Sequence, residues 1–401
     1  MTRILLVTQY FHPENFKSND IAFGLAKRGY EVTVLTGLPN YPQGHFYEGY
    51  GMFRRRSEIV DGVDIRRTLV FPRGRGGAVR LALNYLSWAV FASVRAFFMS
   101  VSEEFDAVIV HETSPVTQGF PALVVKGMRG TPIYFWVLDL WPESLQAVGG
   151  VDNRYVIGVF DWIARLMYRC SDRILMSSRG FGKSILAKGP FESKLVYFPN
   201  WSEDMATVMS DSRTPCLPEG FRVVFAGNVG EAQDMPSVMK AAELLKGCGV
   251  SLVIVGDGRK MDWVREYVAE HSLENVVHLA GIHPPEEMPL FFREADVLFL
   301  SLRNDYIFSL TAPAKLQSYM ASGKPVIAMT DGETADLSAD AGCGFSCAAG
   351  DFTAFTDCII RMKSMSPEER ACLGENGRRF YMKNFRKDNC IDHLCAILPE
   401  R

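Results

Sequence analysis

Short runs of β-branched and apolar residues recur along this chain, separated by helix-like stretches, and that alternation constrains the fold more than any other feature. In the first half the runs are Ile4 to Thr8, Glu31 to Thr36, Ala107 to Val110, Ile133 to Val137, Arg173 to Met176 and Leu195 to Phe198. Strands that alternate with helices are joined by crossovers, so they lie parallel in a doubly wound α/β sheet. After the polar, proline-bearing segment Ser202 to Gly220 the pattern restarts at Arg222 to Ala226, Ser251 to Val255, Val276 to Leu279, Val297 to Leu300 and Pro325 to Ala328. The pattern predicts two Rossmann-like domains, residues 1–201 and 202–377, and a last stretch, about 378–401, that is helical with no further strand. With 401 residues, 48% of them hydrophobic, the chain can fill two cores of ordinary size. Ligands of such sheets bind beyond the carboxyl ends of the strands, so two facing sheets are expected to hold a substrate in the cleft between them.

Charge narrows the partners. A net charge of -3 gives no global reason to expect nucleic acid. Locally, the arginines at 54, 55, 56, 66, 67, 73, 75 and 80 outweigh Glu58, Asp61 and Asp64 by +5, which marks either a surface for an anionic partner or a solvated face. The segment Arg80 to Val101 follows. Fourteen residues separate Arg80 from Arg95, fewer than the roughly 20 apolar residues of a bilayer span. Its aromatics (Tyr85, Trp88, Phe91, Phe97, Phe98) and flanking arginines suit an interfacial helix at a membrane surface, the alternative being a helix buried on the first sheet; the basic run before it favours the membrane. Nine cysteines without a C-x-x-C pair read as reduced thiols, neither a disulfide frame nor a zinc site. The opening apolar run of four residues is too short for a signal-peptide core, so a cytoplasmic location is expected.

Chemistry concentrates in the second half. In "SLTAPAKLQSYMASGKPVIA", Pro313 suits the first turn of a helix, Ser309 or Thr311 is a candidate cap, and Lys315 falls where the helix dipole disfavours a cation unless an anion binds. A phosphate resolves that conflict; a solvated surface lysine is the alternative. Gly227, Asn228 and Gly230 follow one predicted strand, Gly256, Asp257 and Gly258 the next, and a loop from Gly281 and Ile282 to Pro285 a third. Each is a weak phosphate-loop signal alone, but with the Lys315 segment four strand ends in order present loops to one face.

These stretches carry a resemblance. "FAGNVG", "IVGDG", "LAGIHPPEEMP", "ADVLFLSL" and "YMASGKPVIA" follow the order and spacing of the donor domain of retaining glycosyltransferase family 4, enzymes of the GT-B fold. "ILLVTQYFHPENF", "GLAKRGYEVTVLTGLPNYP", "DAVIVHETSP", "DLWPES" and "YFPNW" extend the similarity over nearly the whole chain, and "FSLTAPAKLQSYMASGKP" points to the branch resembling bacterial O-antigen and capsule N-acetyl-L-fucosaminyltransferases. The resemblance implies transfer of a sugar from a nucleotide diphosphate, UDP by the same likeness, to a lipid-linked saccharide, with retention at the anomeric carbon and the leaving diphosphate taking the acceptor's proton. It implies no metal and no other cofactor. It places His111 towards the donor sugar, with Glu112 beside it, and these two together with Lys315, read above as a phosphate contact, are the expected catalytic residues. Gly227, Asn228, Gly230, Gly256, Asp257, Gly281, Ile282, Thr311, Ala312, Pro313, Ala314, Gln317 and Ser318 are then expected around the donor. Asn15, Asp139 and Glu143 are expected at the acceptor, the last two being equally placed to cap a helix near Pro142. It also implies that the C-terminal helix packs back on the first domain.

The chain departs from the family pattern in two places. The E-x7-E positions hold Leu310 and Ser318, and the arginine and lysine that clamp the diphosphate fall at Asn228 and Gln233. Lys315 with the helix N-terminus is the best remaining counter-charge, and Gln317, Asp305 and Arg303 lie close enough in sequence to replace lost sugar or ribose contacts. An epimerase acting on the same donor and a non-catalytic nucleotide-sugar binding protein are the rival readings.

Overall fold

A computed structural model describes residues 1–74, 76–147, 150–202, 215 and 217–399. Two compact units emerge: Met1–Phe198 together with the end of the chain from Cys390, and Pro199–Asn389. Most of the expected junction, 203–214 and 216, lies outside the described residues, as does Arg75 of the basic run.

The first unit holds strands β1 (Arg3–Val7), β2 (Glu31–Gly37), β3 (Ser57–Val60), β4 (Val63–Thr68), β5 (Ala107–Glu112), β6 (Ile133–Val137), β7 (Arg173–Met176) and β8 (Leu195–Tyr197). Their order is β3-β4-β2-β1-β5-β6-β7-β8, parallel throughout except for the antiparallel pair β3 and β4. That hairpin was not legible as strands, because its residues are charged. Arg67 in β4 is fully buried, pairing with Glu58 at 2.6 Å and donating to the His12 carbonyl at 2.8 Å, while Arg66 pairs with Asp64 and Glu103. Two of the eight arginines therefore hold the sheet edge together and belong to no anionic-partner surface.

Helices α1 (Lys17–Lys27), α2 (Ala78–Ser102), α3 (Phe120–Arg129), α4 (Glu143–Ala147), α5 (Arg154–Cys170) and α6 (Phe181–Ala187) connect these strands. Rightward crossovers from β4 through β7 are right-handed, which sets α2, α3 and α5 on one side of the sheet. Helix α2 buries Asn84, Trp88, Ala92, Ala96 and Met99, and leaves Val79, Leu83, Leu86, Val90, Val94, Phe97 and Val101 exposed along the other face. The buried reading thus holds for one face, which packs on the protein; the other is an exposed apolar stripe, the feature that the interfacial reading requires.

The second unit holds β9 (Phe221–Ala226), β10 (Val250–Val255), β11 (Val277–Gly281), β12 (Val297–Ser301), β13 (Val326–Met329) and β14 (Gly344–Cys347), all parallel, in the order β11-β10-β9-β12-β13-β14. Helices α7 (Met235–Leu244), α8 (Met261–Glu270), α9 (Met288–Glu294), α10 (Tyr306–Ser309), α11 (Ala314–Ala321), α12 (Glu333–Ala341), α13 (Phe352–Ser364) and α14 (Pro367–Asn384) complete it. Strand β14 was not expected: its partly exposed "GFSC" gives too short an apolar run. The last helix, α15 (Lys387–Ile397), reaches the first unit from Cys390 onward, where Asp392 pairs with Arg28 at 2.6 Å and Ile391 fills the space over Gly24 of α1. Residues 378–389, expected to leave with it, stay with the second unit.

Candidate functional site

In an open α/β sheet the ligand crevice opens where consecutive crossovers leave in opposite directions. In the second unit that switch point lies between β9 and β12. The loops there are stitched by backbone alone: Gly227 N–H donates to the Val255 carbonyl at 2.9 Å, Val229 to Asp257 at 2.9 Å, Gly256 to Gly281 at 2.8 Å and Lys260 to Val229 at 3.0 Å. Gly227 and Gly256 adopt φ of +136° and +133°, and a Cβ on Gly256 would run into the Gly227 carbonyl. Glycine is required at both positions by conformation and by close approach.

Lys315 reaches this crevice from the second position of α11. Pro313 is the N-cap residue, and no side chain caps the helix. The expected caps are otherwise engaged: Ser309 donates to the Tyr306 carbonyl at 2.8 Å and Thr311 to the Ile307 carbonyl at 2.8 Å. The Lys315 ammonium sits 3.5 Å from the centroid of the Phe225 ring, and a Cβ added at Gly227 would lie 3.2 Å from Nζ. Among the described residues no carboxylate lies within ion-pairing distance of it, and burial pulls its pKa down to about 7. A desolvated cation without a counter-charge, beside free helix N–H groups, is an anion seat awaiting its anion. The reading of Lys315 as a solvated surface lysine is corrected by this placement.

Around it, Tyr319 is fully buried and exchanges hydrogen bonds with the Ala226 backbone, fixing α11 against β9. Gln317 is 1% exposed with neither amide atom bonded. Ser318 turns back to the Ala314 carbonyl at 3.2 Å, Ala312 is buried, and Ile282 stands 75% exposed beyond Gly281. The Asn228 side chain lies against Gly230, whose N–H donates to Gln233 at 3.3 Å, so these two residues brace the loop where the family pattern has cations. Asp257 accepts from Gly258 N–H at 2.8 Å. Arg303 lies between Glu231 and Asp305 at 4.0 and 3.9 Å with its side chain 44% exposed, and Asp305 caps α10.

The first unit has its own switch point, between β1 and β5, and His111 and Glu112 are the last two residues of β5 there. Thr8 Oγ1 lies 3.2 Å from both the Tyr10 carbonyl and His111 Nδ1, so its one proton links the ring to β1. His111 Nε2 is buried with no partner. Burial pushes the imidazole pKa down to about 3, so the ring is neutral. Glu112 is equally buried. One carboxyl oxygen accepts from Leu138 and Asp139 N–H at 3.3 Å, and burial first, then the Asp139 charge, raises its pKa well above the carboxylate range. Asp139 is raised by burial to about 6 and accepts from Ser144 in the turn before and within α4; Glu143 pairs with Lys188 and accepts from Ser184. Through these side-chain contacts the two acids tie α4 in place, and neither contact is a backbone cap. Asn15 is exposed on the first strand-to-helix loop. Glu14, which nothing in the sequence singled out, is buried, accepts from Asn40 and Tyr41 N–H at 2.7 and 2.6 Å, and is raised by burial to about 7. Among the described residues no group of three or more His, Cys, Asp or Glu has metal-holding geometry.

Comparison with known proteins agrees with both halves. Residues 18–201 match the family described as glycosyl transferase 4-like domain, and residues 215–380 match glycosyl transferases group 1. The probable glycosyltransferase WbjE of Pseudomonas aeruginosa is 26% identical over 60% of this chain and 64% of its own length, so the match spans less than two thirds of that relative. The putative colanic acid biosynthesis glycosyl transferase WcaI of Escherichia coli is 22% identical over 75% of each chain. Among solved structures, HepE of Anabaena in complex with UDP and glucose superposes with a TM-score of 0.67 at 14% identity, covering 99% of both chains.

Proposed function

This chain belongs to the glycosyltransferases of the GT-B fold, and on that premise we propose that it moves a sugar from UDP to a lipid-linked saccharide with retention at the anomeric carbon. The observation that carries the reading is Lys315, a partly buried ammonium without counter-charge at the switch point of the second sheet, beside Gly227 and the open N-terminus of α11. Charge builds on the leaving diphosphate as the glycosidic bond breaks, and a preorganised cation with backbone N–H groups stabilises it more in the transition state than in the ground state. The diphosphate oxygen then takes the proton of the incoming hydroxyl on the same face of the sugar. His111 Nε2 contributes a hydrogen bond to a substrate hydroxyl, with neutral Glu112 as a buried acid beside it. No metal or other cofactor takes part in this scheme. The base is taken as uracil because a structural relative was solved with UDP. The sugar, an N-acetylated deoxyhexosamine such as N-acetyl-L-fucosamine, and the setting, O-antigen or capsule synthesis at the inner face of the cytoplasmic membrane, rest on the motif around Lys315 and on relatives named for polysaccharide synthesis.

The test is to supply UDP-N-acetylhexosamine donors with a lipid-linked saccharide and read the product's anomeric configuration by NMR. An acceptor-dependent product of unchanged configuration is expected. Inversion ends the retaining mechanism, sugar interconversion without acceptor favours the epimerase, and tight UDP binding with no turnover on any acceptor favours the binding protein.

Membrane contact follows from the apolar stripe on α2. Leu86→Asp with Phe97→Asp places two charges on that stripe and is expected to release the protein from vesicles in flotation, while its melting temperature stays within a few degrees of the wild type because both side chains are exposed. Unchanged flotation removes α2 as the contact.

A further inference from the structure

Ahead of the apolar stripe lies a cationic cavity that the reaction scheme above leaves unused. It measures about 590 Å³ and is lined by Gln43, Gly44, His45, Gly74, Gly76 and Arg80. Its wall is backbone held by backbone: Gly44 N–H donates to Asn40 at 2.7 Å and Gly74 N–H to Gly44 at 2.8 Å. Helix α2 begins at its rim with Gly77 as N-cap residue, no side-chain cap and no acid in the first turn. Arg80 projects from that turn, its guanidinium lying against Gly74. Arg73 directly precedes the lining residue Gly74, and its guanidinium is caged by three tyrosines, its Cζ 5.1 Å from the ring centroid of Tyr41, 5.8 Å from Tyr85 and 5.9 Å from Tyr10.

Among the described residues neither Arg73 nor Arg80 has a carboxylate within ion-pairing distance. The nearby acid, Glu14, is spent on Asn40 and Tyr41 N–H. Tyrosine faces hold a guanidinium by cation–π attraction and fix its direction without neutralising it, so its planar donors stay available for a phosphate. The free N–H groups and dipole of α2 add to the same preference. Immediately beyond Arg80 the exposed line of Leu83, Leu86, Val90 and Val94 begins. A ligand that satisfies both features carries phosphate at one end and hydrocarbon at the other.

We propose that this cavity binds the phosphate groups that join the acceptor's saccharide to its lipid, with Arg73 and Arg80 as their counter-charges and the hydrocarbon laid along the outer face of α2. The proposal rests on the lipid-linked acceptor of the preceding section and adds where its headgroup is read. It separates recognition of the acceptor from the diphosphate seat at Lys315, which serves the donor.

The test uses farnesyl diphosphate as probe, in the presence of saturating UDP so that the donor seat is filled, with binding followed by calorimetry. Wild type is expected to bind farnesyl diphosphate at least tenfold more tightly than farnesol or inorganic diphosphate. Arg80→Gln, at an exposed position that leaves folding intact, is expected to weaken it several-fold, and Arg73→Gln with Arg80→Gln at least tenfold. Equal affinity for farnesol, or a double variant within twofold of wild type, overturns the proposal. So does an Arg80→Gln loss on phosphatidylglycerol vesicles as large as that on farnesyl diphosphate, since the arginine then reads membrane charge rather than a diphosphate head. UDP-induced thermal stabilisation is measured alongside: its absence in wild type counts against the transferase reading, whereas its presence with failed probe binding counts against this site alone.

Discussion

Lys315→Ala lowers the rate of sugar transfer at saturating donor by about 10²- to 10³-fold, the range found when one preorganised donor to a developing anion is removed. The expectation follows from geometry: Lys315 is the cation whose ammonium lies against Gly227, while Lys260 pairs with Glu231 at 3.1 Å and Arg303 lies between Glu231 and Asp305. The same residue dictates a pH dependence. Only the ammonium form attracts the diphosphate, and burial has brought its pKa down to about 7 in the free protein. Raising the pH above that value empties the ammonium, so the dissociation constant for UDP climbs by up to about tenfold per pH unit until binding rests on the backbone N–H groups alone. In the free protein the sign is opposite: between pH 7 and the ordinary lysine range the unfolded chain holds more protons than the folded one, so stability rises with pH. Lys315→Arg keeps its charge at every pH of interest and is expected to flatten the binding profile. Calorimetric titration with UDP from pH 6.5 to 9 decides the matter. A wild-type profile as flat as that of the arginine variant means that Lys315 does not meet the diphosphate.

Gly256→Ala carries the largest expected effect on stability. Its Cβ would meet the Gly227 carbonyl, backbone that is itself held to Val255, at a φ of +133° that alanine resists. A steric conflict with fixed backbone plus the dihedral strain costs about 3 kcal/mol or more, which in a unit of this size lowers the melting temperature by about 6–12 °C. UDP affinity falls with it, since the loops of β9 and β10 share those contacts. Gly158→Ala is the control: Gly158 lies within α5 with nothing inside 4 Å of its added Cβ, and alanine there is neutral or stabilising. If the two variants melt together, the packing of the two glycine loops does not hold the crevice.

Much of the architecture was legible in the sequence. The eleven strands read from apolar runs all exist, displaced by a residue or two at their ends, because a parallel strand buried on both faces must be written in continuous apolar residues. Strands β3 and β14 were not legible because edge strands carry polar faces, and β4, one strand in from the edge, because Arg66 and Arg67 masked it as surface charge. For the site, the glycines after β9 and β10 and the conflict of a lysine in a helical first turn were readable from local rules alone. Their meaning was not: local rules allowed Lys315 to be solvated, and only the fold of β9 against α11 laid it over Phe225 beside Gly227.

The same division separates His111 from the acids near it. The sequence placed a histidine at a strand end, but its tautomer depends on the single hydroxyl proton of Thr8, 103 residues away. Asp139 and Glu143 looked equally suited to substrate and to capping, and only the fold showed that they bond the side chains of Ser144, Ser184 and Lys188. Arg73 and Arg80 were counted among eight arginines of one basic run, of which Arg66 and Arg67 proved to be internal ties. Sequence fixes the period of burial and the sites of backbone freedom, because both are properties of neighbours along the chain. Which charges find partners is a property of neighbours in space: the tertiary structure pairs Arg66 and Arg67 with acids and, among the described residues, leaves Lys315, Arg73 and Arg80 without a carboxylate.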